Sequence, residues 1–104
     1  MTKSYGQKDC PVARTLDVIG ERWTLLILRD LFLKGPRRFQ DFQDSLEVAP
    51  NILSSRLKDL EASGLVVRRI YSEHPPRLEY QLSAKGRTLS PVLKTLKHWG
   101  EQYT

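Results

Sequence analysis

The side chains best suited to chemistry in this chain of 104 residues lie on one short segment. Between residues 51 and 63, leucines recur at helical spacing on one side, which predicts an amphipathic helix. The opposite side carries small hydrogen-bonding groups and a cation, namely Asn51, Ser54, Ser55 and Lys58. Serine lowers helix propensity, so serines on a helix face indicate a surface that fits against a partner. Such groups can bind base edges and phosphates when a helix lies in the major groove of DNA.

Arg56 lies at the edge of this polar face, where we expect contact with a phosphate rather than with a base. Phosphate contacts fix the register of a protein on DNA, whereas contacts to base edges carry sequence specificity. We therefore expect Asn51, Ser54, Ser55 and Lys58 to enter the groove. Loss of Arg56 is expected to weaken binding to all sequences alike.

A β-hairpin is predicted to follow this helix. Residues 65–71 and 78–82 are strand-like, and residues 72–77 form a six-residue loop between them. Pro75 and Pro76 stiffen the loop and reduce the entropy lost when it docks on DNA. Arg77 is the residue of this loop that we expect to contact the DNA backbone or minor groove.

Other basic residues near these elements have two interpretations. Arg68 and Arg69 are neighbours on a strand, so their side chains point to opposite faces and at most one is expected to face DNA. Arg37 and Arg38 either contact phosphates or are solvated loop cations. His74 is more typical of a solvated loop histidine.

The elements that must position these side chains can be read from apolar spacing and turn residues. Helices are predicted over residues 11–19, 22–33, 39–46 and 51–63. Ser83 can cap a terminal helical stretch, in which Pro91 either kinks the helix or marks its true start after Ser90. Two helices across a tight turn, followed at once by a hairpin, indicate a winged helix-turn-helix, a mainly helical α+β fold.

Composition is consistent with one globular domain over residues 1–104. The chain has 17 Lys and Arg against 12 Asp and Glu, a net charge of +5, and most of the excess lies in residues 49–104. That half would attract a polyanion such as nucleic acid. No apolar run approaches the roughly 18 residues of a membrane span, and the N-terminus does not resemble a signal peptide. We expect a cytoplasmic protein that does not enter a membrane.

The inventory of reactive residues argues against an enzyme. The two histidines, His74 and His98, have no second ligand at metal-binding spacing, and no glycine-rich phosphate loop is present. The single cysteine, Cys10, has no visible base to activate it and excludes an internal disulfide. We expect no cofactor and no metal. The alternative to DNA binding is a winged helix used for protein assembly or RNA contact, but such modules tend to lose the polar helix face and the basic loop.

Five blocks of sequence resemble the HxlR family of bacterial transcriptional regulators. The resemblance covers residues 10–100 and is carried by Cys10-Pro11 with Ile19-Gly20-x-x-Trp23, by Arg56-Leu57-Lys58-x-Leu60-Glu61-x-x-Gly64-Leu65-Val66, by Tyr71-x-x-x-Pro75-Pro76-Arg77-x-Glu79-Tyr80, by Gly86-x-x-Leu89-x-Pro91-Val92-Leu93, and by Trp99-Gly100. It implies a homodimeric regulator that binds duplex DNA. Two-fold symmetry would then imply a palindromic operator with half-sites about one helical turn apart, near 34 Å. Repression by blocking polymerase is favoured over activation.

The resemblance also suggests roles for two further regions. An apolar seam on the terminal helix either closes the core or, with the first helix, forms the dimer interface that the family implies; it comprises Leu89, Val92, Leu96, Trp99 and Tyr103. Some family members use a cysteine at the position of Cys10 to sense oxidants or electrophiles. A helix N-terminus stabilises a thiolate, and Lys8 and Arg14 are close in sequence, although Asp9 opposes this effect.

Cys10 is therefore either a redox sensor or a small packing residue. The sequence indicates no separate ligand domain, so a small-molecule or redox effector would act through Cys10 or through a pocket at the dimer seam. Otherwise regulation would follow the amount of protein.

Overall fold

The computed structural model describes Gln7 and residues 9–104. Its elements follow in the order α1 (Pro11–Ile19), α2 (Arg22–Lys34), α3 (Phe39–Leu46), α4 (Pro50–Ala62), β1 (Val66–Glu73), β2 (Pro76–Leu82), α5 (Ala84–Arg87) and α6 (Ser90–Tyr103). Strands β1 and β2 form a two-stranded antiparallel sheet. This order confirms the mainly helical α+β fold, with α3 and α4 as the helix-turn-helix pair and the hairpin as the wing. Within the described residues, no helix combines the length and apolar character that crossing a bilayer requires.

The hydrophobic core lies where α2, α3 and α4 meet the base of the hairpin. Helix α2 is central to it, since Ile27 and Leu28 have no exposed surface. From α4, Leu53, Leu57 and Leu60 point inward and are almost fully buried. Burying each side chain of this size contributes about 1.5–3 kcal/mol. The inward face of α4 is thereby fixed, and its opposite face is held toward solvent.

Helix α4 begins one residue earlier than predicted and ends one residue earlier. The prediction assigned Pro50 to the preceding turn, but Pro50 is the first residue of the helix. Proline suits that position because its missing N–H would have no partner there. The helix terminates as predicted before Gly64, whose φ of +75° is a left-handed conformation that other residues adopt only with strain.

The predicted six-residue loop of the wing is wrong. Strand β1 runs to Glu73 and β2 starts at Pro76, so only His74 and Pro75 connect them, through a cis peptide bond. The polar residues at the tip still pair through their backbones, because an exposed ribbon needs no apolar alternation to form its ladder. Proline is tolerated at the first residue of a strand, where no ladder hydrogen bond is lost. The wing is thus a longer ribbon than the sequence suggests, with a register shift between Ile70 and Ser72.

The chain after the wing forms two helices rather than one. Ser83 caps α5 as predicted, since its hydroxyl accepts a hydrogen bond from the Gly86 N–H at 3.0 Å. Pro91 lies in the first turn of α6, which confirms the alternative in which it marks the start of the terminal helix. At Gly86 a Cβ atom would lie 2.1 Å from the Leu65 carbonyl oxygen, so only glycine lets α5 pack this closely on the start of the hairpin.

Candidate nucleic-acid interface

Helix α4 presents a polar outer face. Asn51 and Lys58 are exposed, and Ser55 is half-buried between them, because positions 51, 55 and 58 recur at steps of four and three along the helix. Ser54, also half-buried, lies toward one flank. Within the described part of the chain, the side chains of Asn51 and Lys58 have no hydrogen-bond or ion-pair partner. The structure therefore places the predicted groove residues on one helix, with the three central ones sharing a face.

Ile52 is an exposed apolar residue on α4 that the sequence analysis did not select. It falls outside the stripe of buried leucines, and this departure from core spacing was a signal in the sequence that it faces outward. Apolar side chains in the major groove contact the methyl group of thymine. Ile52 is therefore an additional candidate for the interface.

The Arg56 side chain is only 15% exposed and points toward α2 rather than into open solvent. Its terminal nitrogens lie 3.7 Å from Glu21 Oε2 and 3.3 Å from Asp59 Oδ2. One of them also donates a hydrogen bond of 2.9 Å to the Ser55 hydroxyl. The phosphate contact predicted for Arg56 thus competes with interactions that already occupy its guanidinium group.

Glu21 is a second residue that sequence reasoning missed. It is the N-cap of α2, where its Oε1 atom accepts hydrogen bonds from the Trp23 N–H at 2.7 Å and the Thr24 N–H at 3.1 Å. Glutamate is not among the preferred N-cap residues, which is why its position gave no clear signal. Because its other oxygen faces Arg56, Glu21 links the start of α2 to the recognition segment of α4.

On the wing, the arginines fall into two groups. Arg68 is ion-paired with Glu61 at 3.0 Å, and Arg69 with Glu79 at 2.7 Å. Arg77, near the tip, is exposed, and no ion pair involving it occurs among the described residues. The free cation nearest the tip of the ribbon is therefore Arg77, the wing residue selected from the sequence.

The base of the wing is anchored to the segment before α3. Arg37 and Tyr80 exchange two backbone hydrogen bonds of 2.9 and 2.7 Å, which adds a short bridge beside β2. The Arg37 guanidinium also donates to the Asp41 carbonyl at 2.9 Å. The Tyr80 ring packs edge-on against Phe42 with centroids 6.2 Å apart. Partial burial raises the pKa of Tyr80, and the nearby Glu61 carboxylate adds to this effect.

Asp41 fixes the start of α3. Its carboxylate accepts hydrogen bonds from the Arg38 backbone N–H at 2.9 Å and from the Arg38 guanidinium at 3.0 Å. The guanidinium, and then the backbone N–H, lower the pKa of Asp41 below its ordinary range. Arg38, offered above as a phosphate contact or a solvated cation, is thus an exposed residue engaged with Asp41, and the pKa of its guanidinium is raised by that carboxylate.

Helix α6 carries an exposed apolar strip. Trp99 and Tyr103 are 59% and 67% exposed, and their rings lie 5.4 Å apart. Val92 and Leu96 are also exposed, whereas Leu89 is half-buried and packs against the core. Four of the five residues predicted for the dimer seam are thus exposed, and Leu89 packs against the core of its own chain.

Helix α1 adds a second exposed apolar surface and carries Cys10 at its start. Val12 and Leu16 are exposed, while Ala13 and Ile19 are the buried residues of this helix. Cys10 is the N-cap residue, half-buried and not disulfide-bonded, and its side chain makes no capping hydrogen bond. Lys8, invoked above as a neighbour of the thiol, lies outside the described residues.

A helix-turn-helix pair with an exposed polar second helix, followed by a basic two-stranded wing, defines a winged helix-turn-helix regulator. The family model of the HxlR-like helix-turn-helix matches residues 18–104. The chain belongs to this family. It is a transcriptional regulator of the helix-turn-helix type, as its relatives are, and not an enzyme.

Individual relatives agree with this assignment. The chain is 40% identical over 95 residues to YdeP of Bacillus subtilis, named an HTH-type transcriptional regulator, with 90% of this chain and 73% of that protein covered. The redox regulator HypR in its oxidized form superimposes with a TM-score of 0.83 at 38% identity, over 91% of this chain and 98% of HypR. The reduced form of the transcriptional regulator YodB from B. subtilis has a TM-score of 0.77 at 31% identity, over 90% and 93% of the two chains.

Proposed function

We propose that this chain is a homodimeric repressor that reads a palindromic operator with α4 in the major groove. The observation that carries the proposal is the outer face of α4, where Asn51, Ser55 and Lys58 lie together opposite a buried leucine stripe. The major groove admits one helix, and short polar side chains beside a cation match its base edges and phosphates. Ser54 on the flank completes the set of contacts that we propose, while the Arg56 guanidinium stays engaged with Glu21, Asp59 and Ser55.

The wing supplies the second contact. Arg77 projects from a stiff two-stranded ribbon whose base is pinned by the backbone bridge between Arg37 and Tyr80. Little conformational entropy is lost when a ribbon of this kind docks, so more of the interaction between Arg77 and DNA contributes to affinity. We propose that Arg77 binds a phosphate or the minor groove beside the half-site. Bacterial regulators such as its relatives bind the chromosome in the cytoplasm, where we expect this one.

Exposed apolar faces on α6 and α1 support the homodimer in this proposal. Helix α6 exposes more apolar surface than a solvated helix face requires. The exposed residues are Val92, Leu96, Trp99 and Tyr103. Pairing two such helices about a two-fold axis would place two copies of α4 about one helical turn of DNA apart, roughly 34 Å. A dimer bound across a promoter excludes polymerase, which is why repression is the mode we propose.

The test is equilibrium binding of the purified, reduced protein to duplex DNA from upstream of its own reading frame, titrated at 50 and 200 mM salt. Lys58 and Arg77 from both protomers would give at least four phosphate contacts, which predict a loss of affinity of about 10² between these conditions. A shuffled duplex of equal length is the control and should bind much more weakly. Absence of binding to either duplex, or binding insensitive to salt, would instead support a protein-assembly module.

We further propose that oxidation of Cys10 controls DNA binding. The thiol lies half-buried at the N-terminus of α1, on the helix whose exposed face joins the proposed dimer seam. HypR, a redox regulator, shares the fold and 38% of the sequence. Diamide treatment should lower operator affinity of the wild type through a disulfide between the two Cys10 residues of a dimer or through a thiol adduct. Cys10→Ser should bind equally well before and after diamide, and equal losses in both proteins would contradict the proposal.

A further inference from the structure

The hydrogen bond between Arg56 and Ser55 favours one role for the Ser55 hydroxyl, that of a hydrogen-bond donor. Its oxygen accepts a hydrogen bond of 2.9 Å from an Arg56 terminal nitrogen. A serine hydroxyl has one proton to donate and two lone pairs to accept with. One lone pair is therefore occupied by a cationic donor, which polarises the hydroxyl, strengthens it as a donor and weakens it as an acceptor.

The proton of this hydroxyl has no acceptor within the described residues. Hydroxyl groups on other helices of this protein donate to the carbonyl four residues earlier, as Thr15 does to Pro11 at 2.8 Å and Thr95 to Pro91 at 2.9 Å. No equivalent bond from Ser55 to the Asn51 carbonyl is present in the described part of the chain. Ser55 thus presents an unused donor on the outer face of α4.

The Arg56 side chain is held in the position from which it donates to the Ser55 hydroxyl. Its side chain is 15% exposed and lies between the carboxylates of Glu21, at 3.7 Å, and Asp59, at 3.3 Å. Glu21 is itself fixed by the two backbone N–H groups that it caps at the start of α2. A guanidinium held on two sides by carboxylates keeps one geometry, so the polarised Ser55 hydroxyl is preorganised before DNA arrives.

From this geometry we infer that Ser55 determines specificity by donating a hydrogen bond to an acceptor on a base edge. Arg56 is the positioning residue that makes the Ser55 hydroxyl a donor. The inference rests on the proposed DNA-binding function of α4. The base-edge acceptors of the major groove are guanine N7 and O6, adenine N7 and thymine O4. The amino groups of cytosine and adenine would be disfavoured at that position. Arg56 then acts through Ser55 and makes no phosphate contact.

The experiment is enrichment of duplex DNA from a random library by the wild-type protein, followed by measurement of base preference and salt dependence on the enriched duplex. Ser55→Ala should lower the preference at one base pair of each half-site by roughly fivefold, the value of about one hydrogen bond. Arg56→Gln should lower the preference at the same base pair and at no other. The double variant should lose no more base preference than either single variant, because the two residues act through one contact.

Salt dependence separates this inference from a phosphate contact. Arg56→Gln should leave the slope of log affinity against log salt unchanged. Lys58→Gln, the matched exposed cation on the same helix, should lower the slope by about 0.9 per protomer and leave base preference intact. A slope that falls equally for Arg56→Gln, with unchanged base preference, would show that Arg56 contacts a phosphate and would overturn the inference. Unaltered preference in Ser55→Ala would overturn it as well.

A second variant covers the case in which Arg56→Gln does not fold. Arg56→Lys keeps the charge but lacks the planar fork that reaches Ser55 and two carboxylates together. It should lower the preference at the base pair read by Ser55 while keeping the wild-type salt slope. Full base preference in Arg56→Lys would contradict the positioning role of Arg56. If the wild type enriches no sequence at all, the proposed function fails and this inference fails with it.

Discussion

At the scale of single residues, the basic side chains differ in what already surrounds them. Arg68 and Arg69 look alike in the sequence, yet each is paired with a glutamate from a different element, and Arg56 lies between two carboxylates. Arg77 and Lys58 have no such partner among the described residues. Sequence spacing predicted which face of α4 is polar, but it could not predict these ion pairs, because the partners are brought together only by packing.

A first prediction concerns Lys58. Lys58→Gln should weaken binding to the enriched duplex by about tenfold at low salt and reduce the salt slope, because an exposed cation that neutralises a phosphate releases a counterion. Lys94→Gln, which removes a cation from α6, is the matched control and should change neither quantity. Fluorescence anisotropy at several salt concentrations measures both. Equal behaviour of the two variants would remove Lys58 from the interface.

A second prediction concerns the cap of α3. Asp41→Asn should lower the free energy of unfolding by about 0.5–1 kcal/mol at pH 7, because the charged acceptor at the helix start is lost. Since the pKa of Asp41 is lowered in the folded protein, its contribution is complete above about pH 4 and is lost as pH falls through the folded value. Denaturant titrations from pH 7 to 2.5 should therefore show the two proteins converging in acid. A difference that is undiminished at pH 2.5 would contradict this account.

At the scale of elements, helices were predictable because each has an apolar stripe at its own period and clear end signals. The starts and ends agreed within about one residue for α1 to α4. The wing tip was not predictable, because backbone pairing between Glu73 and Pro76 leaves no trace in side-chain polarity. The bridge between Arg37 and Tyr80 was equally hidden, since it joins backbones distant in sequence.

A third prediction concerns the junction of α5 with the hairpin. Gly86→Ala should lower the free energy of unfolding by about 2–3 kcal/mol, because the new methyl group would collide with the Leu65 carbonyl oxygen. Gly35→Ala is the comparison: nothing lies within 4 Å of the added Cβ atom, so its cost is backbone strain alone, about 1–3 kcal/mol for a residue at φ +76° and ψ −155°. Denaturant unfolding measures both. A loss below about 1 kcal/mol at Gly86 would show that the contact with the Leu65 carbonyl relaxes easily.

At the scale of the whole molecule, the exposed apolar faces of α1 and α6 and the polar face of α4 together support the proposal of a symmetric regulator. The sequence predicted an apolar seam on the terminal helix, and the structure leaves Val92, Leu96, Trp99 and Tyr103 exposed. Spacing alone could not exclude Leu89 from that seam, because core and interface positions share one period on a helix.

A fourth prediction tests the seam. Leu96→Asp should convert the proposed dimer to monomers, because a carboxylate in a buried apolar interface would have no partner. Operator affinity should fall by at least tenfold, since each half-site would then be bound separately. Leu78→Asp, an exposed leucine on the wing, is the control and should remain dimeric. Sedimentation velocity measures the oligomeric state, and a Leu96→Asp protein that remains dimeric would move the interface elsewhere.

The most direct test of the central claim is a hydroxyl-radical footprint of the reduced protein on its enriched duplex. A dimer that inserts two copies of α4 should protect two symmetry-related patches of backbone, with half-site centres about 34 Å, or one helical turn, apart. The two wings should extend this protection at the outer flanks. An unprotected duplex, or a single protected patch at saturating protein, would contradict the account.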